Sequence, residues 1–119
     1  MPKLRVRNRS KNSILADRAD IADTSKTRKT GLLKHTQLEP GEGLWITPCE
    51  AVHTIGMKFR IDVVFLDKQR RVVKVRRDMG KWRFAGSLRA HSVLELPSGR
   101  ADSTNTAKGD QLEFEKYEI

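Results

Sequence analysis

What this chain lacks narrows its class before anything it contains. One cysteine, Cys49, stands among 119 residues, so no internal disulfide can form and neither a disulfide-stapled scaffold nor a four-cysteine zinc ribbon is available. No apolar run reaches the length of a membrane span, and the opening MPKLRVRNRSKNSIL carries charge without the apolar stretch of a secretory signal. On that reading the expected compartment is the cytoplasm, with envelope association left open. Aromatic residues are few. The four Phe, two Trp and one Tyr are spread along the chain rather than interleaved with the basic residues, so no stacking platform for a single nucleic-acid strand is expected. Internal repeats and low-complexity segments are missing too.

Positive charge, by contrast, is abundant. Lys and Arg number 24 against 15 Asp and Glu, a net charge of +9. Residues 1–34 hold ten of these cations against three Asp, residues 68–90 hold nine against Asp78, and the remainder is net acidic. A basic protein of this kind invites an anionic partner, with Arg70, Arg71, Lys74, Arg76 and Arg77 as the candidate contacts. Such binding is expected to be non-specific, and nucleic acid is a possible but not the favoured partner.

A chain of this length makes a single domain, residues 1–119, and buries roughly 65% of its unfolded surface without needing a staple. Short apolar runs between turn residues point to strands. Leu4 to Arg7 alternates like an edge strand, and Ile61 to Leu66 is a nearly continuous β-branched and apolar run suited to a buried strand. Arg71 to Arg77 returns antiparallel to it after a turn at Asp67–Arg70. Ser92–Leu96 and Gln111–Tyr117 read as further strands, and Leu44–Thr47 as another. Thr24–Leu33 predicts a short helix weakened at Gly31. Ile14–Ile21 is ambiguous, because Ala16, Ala19 and Ala22 recur at helical spacing while Asp17, Asp20 and Asp23 interrupt any apolar face. The expected fold is mostly β, a compact antiparallel β-sandwich or barrel with one or two short helices.

The segment LWITPCEAVHTIGMKFRIDVVFLD, residues 44–67, carries the chemistry. Cys49, His53 and Met57 are spaced four and four apart, as in the ligand loop of blue-copper proteins. That pattern also needs a place near the chain end and a second His far upstream. Here the segment is central and the upstream His35 lies in a loop, so no metal and no cofactor are expected. Thr47-Pro48-Cys49-Glu50 also has the form of a capping box with Pro at the first helical position. A helix there would lower the Cys49 pKa, with His53 one turn on as a base. Asp62, inside the buried strand, shares a face with Val64 and Leu66 and must find a partner; His53, Arg60, His91 and backbone N–H groups are the candidates, with a loop-pinning backbone role favoured over catalysis. Glu95 within VLEL and Asp110 after Gly109 are further acids without a visible companion.

The ordered set Gly31-Leu32-Leu33, Gly41-x-Gly43-Leu44, Val52-His53-Thr54-x-Gly56-Met57, Ile61-Asp62-Val63-Val64-Phe65-Leu66-Asp67, Val93-Leu94-Glu95-Leu96-Pro97-x-Gly99 and Gly109-Asp110 resembles the family named Domain of Unknown Function 192, from about Leu4 to Ile119. The resemblance implies a small, mostly antiparallel β domain of bacteria or archaea, with no established activity, substrate or cofactor. Many members have Met-Lys-Asn-Thr where this chain has His53 to Met57, Pro where it has Arg60, and Asp/Asn-Gly where it has Gln69-Arg70. An extended family segment opposes a helix at Cys49. Some members carry signal peptides and occur near secretion or pilus-assembly genes, a context this chain does not signal.

The leading expectation is therefore a non-enzymatic ligand-binding or accessory domain with an unknown small ligand or protein partner. Its site is expected where Cys49, His53, Thr54, Met57, Asp62 and Gly99 converge. The alternatives are an enzyme acting on a small or saccharide-like ligand through His53 and Asp62, and a polyanion binder.

Overall fold

The first strand and the last are neighbours, and the sheet is built outward from that pairing. The computed structural model describes residues 2–119. Strand β1 (Pro2–Asn8) lies between β2 (Ser13–Ala22) and β9 (Leu112–Glu118). Its alternation is as read, with Leu4, Val6 and Asn8 buried and Arg5 and Arg7 exposed, but it is not an edge strand.

The ambiguous stretch is strand β2. Its three-residue alanine spacing is reconciled with a strand by a bulge: Leu4 pairs with Ala19 but Val6 with Ala16, so two steps on β1 face three on β2. Both alanines thereby reach the core side, where each is fully buried.

From β2 the chain crosses over through helix α1 (Ser25–Thr30) to β3 (Glu42–Ile46), which lies parallel to β2. Parallel neighbours need such a crossover, and this one makes the sheet mixed where an antiparallel one was expected. Thr24 caps α1, accepting from the Thr27 backbone N–H at 3.1 Å while the Thr27 hydroxyl accepts from the Thr24 N–H at 3.0 Å.

Strands β5 (Ile61–Leu66), β6 (Val72–Met79) and β8 (Ser92–Pro97) complete a seven-stranded sheet ordered β6-β5-β8-β3-β2-β1-β9. As anticipated, β5 and β6 are antiparallel neighbours, β5 buried throughout and β6 at the sheet's end. A separate ribbon pairs β4 (Ala51–His53) with β7 (Phe84–Gly86), and a one-turn helix α2 (Arg100–Ser103) follows β8.

The sheet curls until its two ends touch at one corner. There Arg71 bridges Gln111, the Val72 N–H donates to the Asp110 carbonyl at 2.8 Å, and the Leu112 N–H donates to that of Arg70 at 3.0 Å. A single bridge does not close a barrel, so the fold is an open, strongly curled sheet. One core face holds Leu4, Val6, Leu15, Val64, Leu66 and Leu96; the other holds Ile46, Met57, Ile61, Val63, Phe65 and Val93. Strand β5 serves both, which is why its run has no polar alternation except Asp62.

Two turns depend on unusual backbone. At the β5–β6 turn, Asp67 accepts from the Gln69 and Arg71 N–H groups, both at 2.9 Å, and Arg70 takes a left-handed φ of 63°. The strain, about 1 kcal/mol or more for a non-glycine residue, is offset by the guanidinium lying 4.4 Å from the Phe114 ring centre and 5.3 Å from that of Trp45. At Gly99, φ is 92° and no Cβ is present to resist it.

Candidate functional site

A pocket of about 340 Å³ opens between α1 with its following turn and strands β3 and β4. Leu32, Leu33, Ile46, Val52 and Met57 supply apolar wall, while Arg28, Lys29, Cys49 and His53 supply its polar positions. The crossover creates this space, because a helix of six residues with no buried side chain cannot cover the sheet face it passes.

Glu95 lines the same pocket from β8 and is only 3% exposed. Strand alternation sets its direction, since Val93 two residues before it belongs to the core face under the crossover. No donor or cation among the described residues pairs with its carboxyl. Desolvation by burial is the cause that pushes its pKa up to about 7. A buried acid normally has partners, so an acid left open toward a cavity is the feature of this chain that most resembles a binding group. The sequence pointed to Glu95 as an acid between aliphatic residues, but only three-dimensional placement beside α1 joins it to Cys49 and His53.

The residues singled out from sequence fall into three places. Cys49, His53 and Met57 line the pocket. No helix begins at Cys49: the Thr47–Pro48 peptide is cis, the chain bends through residues 47–50 into β4, and the Cys49 thiol donates to the Ala51 carbonyl at 3.2 Å. Burial pushes the Cys49 thiol up, outweighing that hydrogen bond, which is the reverse of helix-terminal activation. His53 Nδ1 accepts from the Ile55 N–H at 3.3 Å and its ring tilts against Phe84. Among the described residues, no three His, Cys, Asp or Glu side chains gather as a metal site.

Asp62 and Gly99 meet elsewhere. Asp62 Oδ1 accepts from the Asp78 N–H and Oδ2 from the Ala101 N–H, both at 2.8 Å. Gly99 is the N-cap of α2 and has no side chain to cap with, so Asp62 satisfies the helix from across the sheet. Thr54 turns away from the pocket as well. Its hydroxyl donates to the Gly80 carbonyl at 2.5 Å and accepts from the Arg83 N–H at 2.9 Å.

The basic residues of β6 and its turn are mostly engaged. Arg70 stacks as described, Arg71 donates to the Gly109 carbonyl at 3.3 Å, and Lys74 to that of Gly86 at 2.8 Å. Arg77 donates to Asp102 at 2.8 Å and to the Thr106 carbonyl at 2.9 Å. Arg76 faces a groove shared with Lys58, Arg60, Lys81 and Arg83. The segment Lys81-Trp82-Arg83-Phe84 beside that groove is an exposed alternation of cations and aromatics, which corrects the expectation that the two do not interleave.

An open, mixed, curled sheet with a pocket under its crossover defines a small β-rich domain. Residues 6–114 match Domain of Unknown Function 192, described as "Uncharacterized ACR", and the chain belongs to that family. A UPF0127 protein of Thermococcus sibiricus is 33% identical over 120 residues, covering 93% of this chain and 75% of the relative. Two crystal structures share the fold. A protein of unknown function from Novosphingobium aromaticivorans aligns with TM-score 0.80 at 22% identity, over 93% of this chain and 83% of that one. A Sinorhizobium meliloti protein described as "a putative transcription regulator" aligns with TM-score 0.83 at 18% identity, over 96% and 94%. No helix among the described residues is long and apolar enough to cross a membrane.

Proposed function

We propose that this chain is a non-enzymatic binding domain that holds a small organic ligand in the pocket beside α1. The observation that carries this reading is Glu95, a carboxyl 3% exposed and without a partner, set in a cavity with apolar walls. Such a group gains most from a ligand that brings its own donor, a hydroxyl or an amine, because that restores the hydrogen bonding lost on burial. Arg28 and Lys29 favour a ligand with an acidic or strongly polar group at its other end. The enzymatic alternative through His53 and Asp62 has less support, since both Asp62 oxygens already accept backbone hydrogen bonds away from His53.

The test is amide chemical-shift mapping of the labelled protein against a panel of polyols, monosaccharides, primary amines and hydroxy acids. Shifts are expected at Ile46, Cys49, Val52 and Glu95 for at least one class, and Glu95→Gln should abolish them without altering the rest of the spectrum. Shifts confined to other surfaces, or retained in full by Glu95→Gln, would remove the pocket from consideration.

A further inference from the structure

Thr54 fixes a short exposed loop. Its hydroxyl binds the Gly80 carbonyl and the Arg83 N–H, and its own N–H donates to the Arg83 carbonyl at 2.9 Å. With both ends of the loop clamped to a buried threonine, Lys81 and Trp82 have nowhere to go but outward. Trp82 sits there at a left-handed φ of 59° and is 67% exposed; Phe84, two residues on, is 71% exposed. A tryptophan in a conformation uncommon for bulky residues, away from the core, is a costly arrangement for a domain with two tryptophans. Nothing in the core explains it.

The groove beside this loop has a volume of about 490 Å³ and is walled by Lys58, Arg60, Arg76, Lys81 and Arg83, with Asp78 as its one acid. Asp78 is already neutralised by Arg60 Nε at 2.6 Å. Lys58, Arg76 and Lys81 have no acidic partner among the described residues, and the Arg83 guanidinium reaches only the Trp82 carbonyl at 3.4 Å. Four cations are therefore left to face a linear or clustered anion.

We propose that this groove and the Trp82–Phe84 edge form a binding site for single-stranded nucleic acid, which adjoins the Glu95 pocket only where Phe84 tilts against His53. Free cations along a groove track successive phosphates, and exposed ring faces next to them accept unstacked bases. A duplex keeps its base faces hidden, and the described helices, of six and four residues, are short for reading its groove. An anionic lipid surface would meet the same charges, but four of the cations also line a concavity, which favours a strand.

Fluorescence anisotropy with a labelled oligothymidylate of twelve nucleotides tests this, with the same-length duplex and phosphatidylserine-containing vesicles as competitors. The single strand should bind in preference to both. Three or four phosphate contacts predict a log–log salt slope of about −2 to −3 for single strands. Trp82→Ala should weaken binding roughly tenfold through lost stacking while leaving that slope unchanged. Lys58→Gln with Lys81→Gln should instead flatten the slope by about 1.4. Arg5→Gln with Arg9→Gln, on the remote β1 and its turn, should do neither. Equal losses from the two double variants would reduce the effect to net charge and overturn the assignment. So would unchanged affinity in Trp82→Ala, stronger competition by vesicles or duplex, or no binding at low salt; the exposed positions make folding of each variant straightforward to verify by circular dichroism.

Discussion

Replacing Glu95 by Gln should change stability in a way that depends on pH, and the direction is opposite to that of most carboxylates. The Glu95 pKa rises from 4.5 to about 7 on folding, because burial disfavours the ionised form. Below the unfolded value the carboxyl is neutral in both states and its burial carries no charge penalty. As pH rises through that window the unfolded chain releases the proton first, so the native state loses stability until both are ionised. At about 1.36 kcal/mol per unit the full loss is of order 3 kcal/mol, equivalent to about 10 °C in Tm for a chain of this size. The amide of the Glu95→Gln variant cannot ionise and escapes that loss. It carries its own burial cost, but equally at every pH, so the change in the difference between the two proteins isolates the ionisation. Urea unfolding of both at about pH 4.5 and pH 8 should show the variant gaining roughly 2–3 kcal/mol relative to wild type across the interval. A difference that stays flat would mean that Glu95 is hydrated or paired in solution, and the case for the pocket would fall with it.

Other expectations follow from the same geometry. Asp62→Ala should cost about 2–4 kcal/mol in urea unfolding, because two N–H groups lose their acceptor, and Asp62→Asn should cost less since one oxygen remains; equal losses would argue against the backbone role. Cys49 should alkylate slowly, with a pH midpoint above that of a free thiol near roughly 8.5, and Glu95→Gln should lower the midpoint because the Glu95 charge adds to the effect of burial. Rapid labelling below neutrality would contradict both points. At Asp110, burial pushes the carboxyl up, but hydrogen bonds from Asn8, Lys11 and the Ala107 N–H together outweigh it and hold the pKa below its usual value. Its contribution is thus present above the unfolded pKa of about 3.9 and lost as acid takes the pH through the lower folded value. Asp110→Asn should therefore destabilise at neutral pH by about 1–3 kcal/mol, with the gap to wild type closing in acid unfolding curves; a gap that widens would reverse the assignment.

Much of this arrangement could be read before folding was considered, and the failures have identifiable causes. The β5–β6 hairpin was legible because an apolar run needs cover on both faces while an arginine-rich partner suits a sheet end. The short helix expected over Thr24–Leu33 is there but stops at Thr30, and its cap at Thr24 was not read from the sequence. Strand β2 was obscured by its bulge, since a bulge converts a period of two into a locally helical spacing, and only the partner strand records the extra residue. The parallel β2–β3 contact has no local signature at all. For the site, Cys49, His53 and Met57 belong to one segment, and that segment lines a pocket. Asp62 and Gly99 were grouped with them by sequence order, whereas β5 carries Asp62 toward α2. Glu95 lacked a companion in the sequence, and it still lacks one among the described residues; what the fold adds is the cavity in front of it. The Trp82 loop was overlooked because its exposure depends on Thr54, almost thirty residues earlier.

The pairing of β1 with β9 has a consequence for how the chain reaches this state. During synthesis residues 2–8 emerge well before residues 112–118, which complete one side of their backbone ladder. Until then β1 offers an open row of donors and acceptors, and the Arg71–Gln111 corner cannot form. Cooperative assembly must wait until β9 has left the ribosome, and contacts so distant in sequence make the final step slow for a domain of this size. In that interval the exposed strand is open to the wrong neighbour, and the charges at Arg5 and Arg7 on its outer face are placed where they would discourage one.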